Sequence, residues 1–355
     1  MPVMRPLRIA QVGPVATSIP PPKSSSIELV TSLLTEGLVA RGHQVTLFAT
    51  GTSRTKARLH ATFARGYGDD PSLWPWQMAE LFNLAAAVEH AADFDVIHYQ
   101  AMYSPMSLAF SRVSPSLIVQ TVHHNPDESQ VAIWSRYPEA PFIAISREQA
   151  RLMTGLNVAG VVYHGIDTRA FAFRERPDDY LVFLGRFTEG KGVLDTIDIA
   201  RRAGMRLILA AAENDYYREM IAPQVDGQHV VYAGEVDHAG KVALLGGARA
   251  LVYPLREGEP FGLVLAEAMA CGTPVAALDR GAVGEIVDAG VTGGVFGTVE
   301  QLVEGLPRVV ALDRASVRRA AVERFDVERM VDGYLDVYSS LLAVRSRQSE
   351  GTAFA

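Results

Sequence analysis

Glu267 is the one charged residue in an otherwise apolar and glycine run from Phe261 to Cys271. A helix over that run would be apolar all round and therefore buried. A buried carboxylate is costly unless it is paired, hydrogen-bonded or turned toward a polar ligand. Two readings follow: a lysine or arginine from elsewhere in the chain neutralises Glu267, or a polar ligand does. Eight residues earlier, Glu259 precedes Pro260, a residue suited to the first position of a helix. Were both glutamates helical they would lie roughly 12 Å and about 80° of arc apart, too far for one metal ion or one shared proton. With Glu259 in a loop and Glu267 in the helix, the two can touch one long ligand at separate points.

The segment Gly185-Arg186-Phe187-Thr188-Glu189-Gly190-Lys191-Gly192 offers a second kind of chemistry. It follows the apolar run Tyr180 to Leu184 and leads into an amphipathic helix. Free amides and the dipole at a helix start favour an anion, and arginine grips phosphate through two parallel bonds. Arg186 and Lys191 therefore suit a phosphate group, with solvated surface charge as the alternative. The spacing matches neither the Walker nor the dinucleotide fingerprint.

Four further places sit where a strand should end. His123-His124-Asn125-Pro126 follows Leu117 to Val122, and His123 is either a satisfied structural histidine or a cleft residue. Ser25 and Ser26 precede a helix expected over Ile27 to Ala40, which they can cap. Gly234-Glu235-Val236 is a tight turn whose backbone could meet a planar ring, and Gly281 to Ile286 reads as an ordinary glycine turn into a helix. No zinc spacing and no nucleophile elbow is present. Asp93-Phe94-Asp95 and Asp178-Asp179 read as solvated turn and linker residues, and Cys271 as an inert buried thiol.

These positions need a scaffold, and the chain supplies it as α/β alternation. Leu7 to Val12, Gln44 to Ala49, Val96 to Tyr99, Leu117 to Val122, Phe142 to Ile145 and Val161 to Tyr163 read as strands, with helix-length segments between most of them. Runs that are apolar without alternation suit parallel strands covered on both faces. The pattern restarts with Tyr180 to Leu184, Leu207 to Ala211, Val230 to Tyr232, Ala250 to Tyr253 and Pro274 to Leu278. The expected organisation is an N-terminal domain over 1–168, a linker over 169–179 and a second domain over 180–325. A C-terminal helix over 326–345 should pack on a domain, the first being one option, and 346–355 should form a disordered tail holding only Phe354 to bury. In an open α/β sheet, ligands bind beyond the carboxyl ends of the strands, where the residues above fall.

The 355 residues carry a net charge of −7 and 48% hydrophobic residues, ample for two cores. An acidic balance without a basic run argues against nucleic acid as a partner. The N-terminal apolar stretch is too short for a membrane span or a signal segment, so no integral membrane segment and a cytoplasmic location are expected.

Glu259-Pro260-Phe261-Gly262 to Glu267-Ala268-Met269-Ala270, taken with Gly185-Arg186 to Lys191-Gly192, resembles the motifs of the retaining glycosyltransferases of family 4. Arg41-Gly42-His43-Gln44-Val45, Asp95-Val96-Ile97-His98 and Gly165-Ile166-Asp167 are lesser matches, and the resemblance spans nearly the whole chain. It implies the GT-B fold, two doubly wound Rossmann-like domains facing a central cleft, the first binding the acceptor and the second the nucleotide sugar. It also implies roles. Arg186 and Lys191 would bind the donor diphosphate, Glu267 the ribose, and Glu259 the donor sugar beside Phe261 and Gly262. The backbone at Val236 would meet the base and His123 the acceptor side of the reaction centre, while Ser25 and Ser26 stand where the family commonly has Gly-Gly.

The implied activity is sugar transfer from a nucleotide diphosphate sugar, as co-substrate, to a hydroxyl acceptor on a small molecule, lipid or glycan. Neither a metal nor a resident cofactor is expected, because cationic side chains neutralise the leaving diphosphate. Retention with no compelling nucleophile in the sequence favours same-face attack over a covalent intermediate. Three alternatives use the same phosphate contacts: a sugar phosphorylase, a nucleotide-sugar epimerase, and a non-catalytic nucleotide-sugar-binding protein.

Overall fold

A computed structural model describes residues 5–353 apart from Ser24 and Tyr103; Phe354, singled out above, lies outside them. Two compact units form, one from Met1–Gly165 with Val327–Ala355 and the other from Ile166–Asp326. Each is built on one parallel sheet with order-reversing topology.

The first sheet holds β1 (Arg8–Val12), β2 (Gln44–Thr50), β3 (Arg58–Phe63), β4 (Val96–Ala101), β5 (Leu117–Val122), β6 (Pro141–Ala144) and β7 (Asn157–Val161), in the order β3-β2-β1-β4-β5-β6-β7. The second holds β8 (Tyr180–Leu184), β9 (Arg206–Ala210), β10 (Val230–Tyr232), β11 (Ala250–Tyr253), β12 (Val275–Leu278) and β13 (Gly293–Phe296), in the order β10-β9-β8-β11-β12-β13. All pairings are parallel. The strand order turns around between β1 and β4 and between β8 and β11, so the loops leaving those strands flank a crevice suited to a ligand. β8 and β11 are buried apolar runs of Leu, Val, Ala and aromatic residues, as a central strand covered on both faces requires.

Two strands escape the apolar-run criterion. β3 reads Arg-Leu-His-Ala-Thr-Phe, half-exposed at a sheet edge, and β13 opens with Gly293-Gly294. The segment expected as a strand over Val161 to Tyr163 pairs instead through Asn157–Val161. Asp95, expected in a solvated turn, accepts from the Arg8 amide at 2.9 Å and pairs with the Arg5 and Arg8 guanidinium groups, which tie the start of β4 to the start of β1.

The chain crosses between the units at Gly165/Ile166 and at Asp326/Val327. On the second unit the two ends are stitched together: the Ile166 amide donates to the Phe325 carbonyl at 2.8 Å, and Thr168 donates to the Asp326 carboxylate. The expected linker, 169–179, belongs to this unit: Arg174 N–H donates to the Cys271 carbonyl and Asp178 N–H to the Gly247 carbonyl. Arg318 also fastens it, donating to the carbonyls of Thr168 and Phe171.

The helix Val327–Ala353 belongs to the first unit. It lies so close to the helix Ser26–Ala40 that a Cβ on Gly37 would stand 2.4 Å from Val331, and Arg41 pairs with its Glu328 and Asp332 at 2.7 and 3.0 Å. It continues well into the expected tail. Once nucleated and packed, a helix extends at little cost over the Ser, Arg, Gln and Glu residues that follow.

Glu80, on the helix Trp76–Glu89, is 2% exposed and accepts from the Val15 amide at 3.0 Å, pinning the loop after β1. Burial, opposed by bonds from Val15 and Tyr67 and helped by nearby Glu28, raises its pKa from 4.5 to about 7. A carboxyl raised on folding contributes stability below its unfolded value and loses it as pH rises through the folded one. At pH 8 the buried charge thus costs about 3 kcal/mol, an order-of-magnitude figure. Glu80→Gln should raise stability at pH 8 and flatten its slope between pH 5 and 8. Urea midpoints measured at both pH values check this, and an unchanged slope would refute it.

Candidate active site

Lys191 stands in the loop after β8 and Glu259 in the loop after β11, the two strands where the second sheet reverses. Lys191 Nζ reaches Glu259 Oε2 at 2.6 Å, with the two side chains 22% and 9% exposed. Tyr253, at the carboxyl end of β11, completes the group: it accepts from Lys191 Nζ at 3.1 Å and donates to Glu259 Oε2 at 3.1 Å. Burial first, then the neighbouring Glu259, holds the Tyr253 hydroxyl well above its ordinary pKa, so it keeps its proton and remains a donor. Both contacts fall on Oε2. Oε1 of Glu259 has no hydrogen-bond partner among the described residues and is the natural acceptor for a ligand hydroxyl.

The backbone around this pair is held from several sides. The Ala282 amide donates to the Glu259 carbonyl at 2.8 Å, and Glu259 forms an isolated parallel bridge with Gly281. The turn Gly281 to Ile286, which reads as ordinary in the sequence, is thus a support for Glu259. Arg256 fastens the same loop to the β8 side through Asp195 at 2.8 Å and Glu189 at 3.1 Å. Arg186 is exposed and forms no ion pair or hydrogen bond among the described residues. A free cation in the same loop as a paired one suits an incoming anion, since it supplies attraction without first breaking a contact.

Pro260 does not open the following helix. Gly262, at φ 86°, turns the chain in the left-handed region and caps the helix Leu263–Ala270. Its neighbour Phe261 is 1% exposed and packs edge-on against Phe325 at 5.9 Å, so it anchors the turn rather than lying open.

Glu267 lies on that helix, 4% exposed, and its charge is met by Lys241 Nζ at 2.5 Å. The lysine reading therefore holds, and the ligand reading is left to any remaining acceptor capacity. Lys241 comes from the helix His238–Gly247 and also stands over the Phe171 ring at 5.6 Å. Val236, half-buried, lies just before that helix, whose amide at Gly240 is capped by Asp237. Arg186, Lys191, Glu259, Phe261, Gly262, Glu267 and Val236 all belong to the second unit. Cys271 is buried and its thiol is pushed up to about 12, by burial first and then by Glu267, as suits an inert residue.

His123, Ser25 and Ser26 belong to the first unit. Ser25 is at the cap position of the helix Ser26–Ala40, but its hydroxyl donates to the Glu28 carboxylate and accepts from no helix amide, so the expected side-chain cap is not formed. His123 follows β5, with its Nε2 2.9 Å from Gln100 Oε1 and its ring stacked on His164 at 5.2 Å. Sequence reading missed Tyr253, Lys241 and Gln100. Tyr253 and Gln100 were within reach, because each sits at the carboxyl end of a strand beside the reversal point. Lys241 carried no local signal.

Among the described residues no group of three His, Cys, Asp or Glu side chains could hold a metal ion, and no helix is long and apolar enough to cross a membrane. Two parallel Rossmann-like sheets, with a cation-carboxylate pair at the reversal point of the second, define a GT-B glycosyltransferase. The comparisons agree: Glycosyl transferases group 1 matches residues 167–324 and Glycosyltransferase Family 4 matches residues 27–170. The chain belongs to the GT-B glycosyltransferases of the family 4 type, and it is an enzyme of that class.

Phosphatidyl-myo-inositol mannosyltransferase of Mycobacterium tuberculosis is 27% identical over 380 aligned residues, covering 94% of this chain and 97% of its own. AviGT4, a glycosyltransferase involved in avilamycin A biosynthesis, superposes with a TM-score of 0.74 at 24% identity over 95% of this chain and 98% of its own. HepE of Anabaena, in complex with UDP-glucose, superposes with a TM-score of 0.68 at 18% identity over 94% and 100% of the two chains.

Proposed function

We propose that this glycosyltransferase moves a sugar from a nucleotide diphosphate sugar to a hydroxyl acceptor with retention of the anomeric configuration and without a metal ion. The carrying observation is the Lys191–Glu259 pair at the reversal point of the second sheet, with Arg186, unpaired among the described residues, in the same loop as Lys191 and acting electrostatically on the Tyr253 hydroxyl that bridges the pair. A diphosphate arriving there meets Arg186 first and then draws on Lys191, whose charge Glu259 otherwise occupies. The UDP-glucose bound by HepE supports a nucleotide-sugar donor, and the name of the mycobacterial mannosyltransferase supports sugar transfer.

In the reaction, the bond from the anomeric carbon to the diphosphate oxygen breaks while the acceptor oxygen bonds to the same face of that carbon. The acceptor proton passes to a donor phosphate oxygen. Arg186, Lys191 and the amides at the start of the helix Val193–Arg202 stabilise charge growing on the leaving diphosphate, which is where preorganised electrostatics act most strongly. Glu259 Oε1 accepts from a sugar hydroxyl, Glu267 contacts the ribose beside Lys241, and the backbone at Val236 meets the base. In the first domain, His123 is the acceptor-side residue, and Ser25 and Ser26, at the start of the helix Ser26–Ala40, are donor contacts. The protein needs no resident cofactor, because the donor carries the leaving group.

A thermal-shift panel of nucleoside diphosphates and their sugars in EDTA tests the donor class. The matching nucleotide at 100 times its Kd should raise the melting temperature by about 5 °C. If no nucleotide shifts melting, the donor assignment fails. NMR of the product anomer reads the stereochemistry, and inversion would overturn the same-face route.

A further inference from the structure

The first sheet carries a polar stripe where a parallel sheet should be apolar. Gln11 on β1, His98 and Gln100 on β4 and Thr121 on β5 are all at most 1% exposed. The parallel register sets Gln11 beside His98 and Gln100 beside Thr121. Tyr334 and Tyr338 of the C-terminal helix close over them, fully buried. Such a stripe is tolerated only when its members satisfy one another.

One assignment of the His98 tautomer gives the bonds a single direction. With the Tyr338 hydroxyl assigned as the donor to His98 Nδ1 at 2.6 Å, an acceptor that Gln100 Nε2 also meets at 3.2 Å, the ring proton falls on Nε2, which then donates to Thr121 Oγ1 at 2.8 Å. Gln11 Nε2 donates to the Tyr338 oxygen at 3.2 Å, which leaves Gln11 Oε1 to accept from Gln100 Nε2 at 3.2 Å. Gln100 must therefore present its oxygen, and not its nitrogen, to His123 Nε2 at 2.9 Å. Reversing that amide would set oxygen against oxygen at Gln11.

We propose that Gln100 is a positioning residue that holds His123 as the neutral Nε2–H tautomer, with the polarity of the chain anchored by Tyr338 on the C-terminal helix. The ring then offers Nδ1 as an acceptor only, facing His164 Nε2 at 3.4 Å. The titratable groups facing it are His98 from β4, His164 from the segment after β7, neighbouring His124, and Tyr334 and Tyr338 behind His98. Burial first, then His164, His98 and His124, depresses its pKa well below the ordinary value, so the ring stays uncharged. A fixed neutral ring gives the acceptor side a constant charge over the working pH range. The kinetic part of this proposal rests on the reading of His123 as an acceptor-side residue.

The test uses the full chain labelled with 15N in its histidine rings. His123 should show a protonated Nε2 and a bare Nδ1 from pH 6 to 8. Gln100→Glu supplies an acceptor of opposite charge and should convert the ring to imidazolium, adding a new ionisation to the pH profile of kcat/KM. Gln100→Leu should mix the tautomers and lower kcat about tenfold, the worth of one hydrogen bond, with donor KM within about twofold. A residue that only fills space would give neither the new ionisation nor a change of tautomer. A proton on Nδ1 in the unaltered protein, or a ring left neutral in Gln100→Glu, overturns the proposal. Full turnover in His123→Ala would instead overturn the acceptor-side role while leaving the tautomer result standing.

Discussion

Lys191→Met should lower kcat/KM by about 1000-fold, the scale seen when one preorganised donor to a developing oxyanion is lost. The same change should destabilise the protein by about 1–3 kcal/mol, because Glu259 is left buried with Tyr253 as its remaining partner. The two effects have different origins and can be separated. In Lys191→Met with Glu259→Gln the stranded charge is gone, so most of the stability should return while activity stays low. Urea titration and initial rates on the two single variants and the double variant measure both. If the double variant recovers turnover, the pair is a structural ion pair and the diphosphate must be stabilised elsewhere. Lys191→Arg should not restore the wild-type rate, because a flat fork cannot take the place of a compact ammonium 2.6 Å from Oε2 and 3.1 Å from the Tyr253 hydroxyl.

Arg314→Leu should cost about 3–5 kcal/mol in stability, with any loss of activity following the loss of folded protein. Arg314 is 8% exposed and opens the helix Arg314–Phe325. Its guanidinium donates at 2.8 Å to the carbonyls of Arg174, Ala248 and Gly246 and to the Thr273 hydroxyl. One side chain thus satisfies acceptors from three separate segments, and leucine would strip the buried Ala248 and Gly246 carbonyls of this partner, while the Thr273 hydroxyl keeps its bond to the Leu245 carbonyl. Arg314→Lys should recover less than half of the loss, since an ammonium cannot span acceptors laid out for a planar fork. Chemical denaturation followed by a fluorescence probe in the second domain measures the cost. A loss below about 1 kcal/mol would mean that water replaces the guanidinium at these carbonyls.

The contrast between Lys191 and Arg314 shows what the residue order can disclose. Lys191 sits in a glycine-bearing loop directly after an apolar strand, so its position beyond a carboxyl edge follows from local pattern alone. Arg314 looks like any helical arginine, and its acceptors come from segments 41 to 140 residues away. The same limit governed Glu267. An isolated carboxylate in an apolar run announces that something must meet it, but Lys241, 26 residues earlier, has no local feature that marks it as the partner. Strands followed the same logic. β5 and β8 lie within their apolar runs, whereas β3 alternates at a half-exposed edge and β13 hides behind two glycines. The helix after Glu259 begins three residues beyond Pro260, because backbone sign at Gly262 decides where it starts.

The two crossings at Gly165/Ile166 and Asp326/Val327 also impose an order on synthesis. The second unit is one uninterrupted stretch, and all of its residues have been added once Asp326 is joined. The first unit is interrupted, and its last-made helix carries Tyr334, Tyr338 and Val331. Until those residues emerge from the ribosome, Gln11 and His98 lack their tyrosine partners and Gly37 lacks Val331. The domain begun first is therefore the one completed last, and residues 1–165 expressed alone would expose the polar stripe that Val327–Ala353 covers.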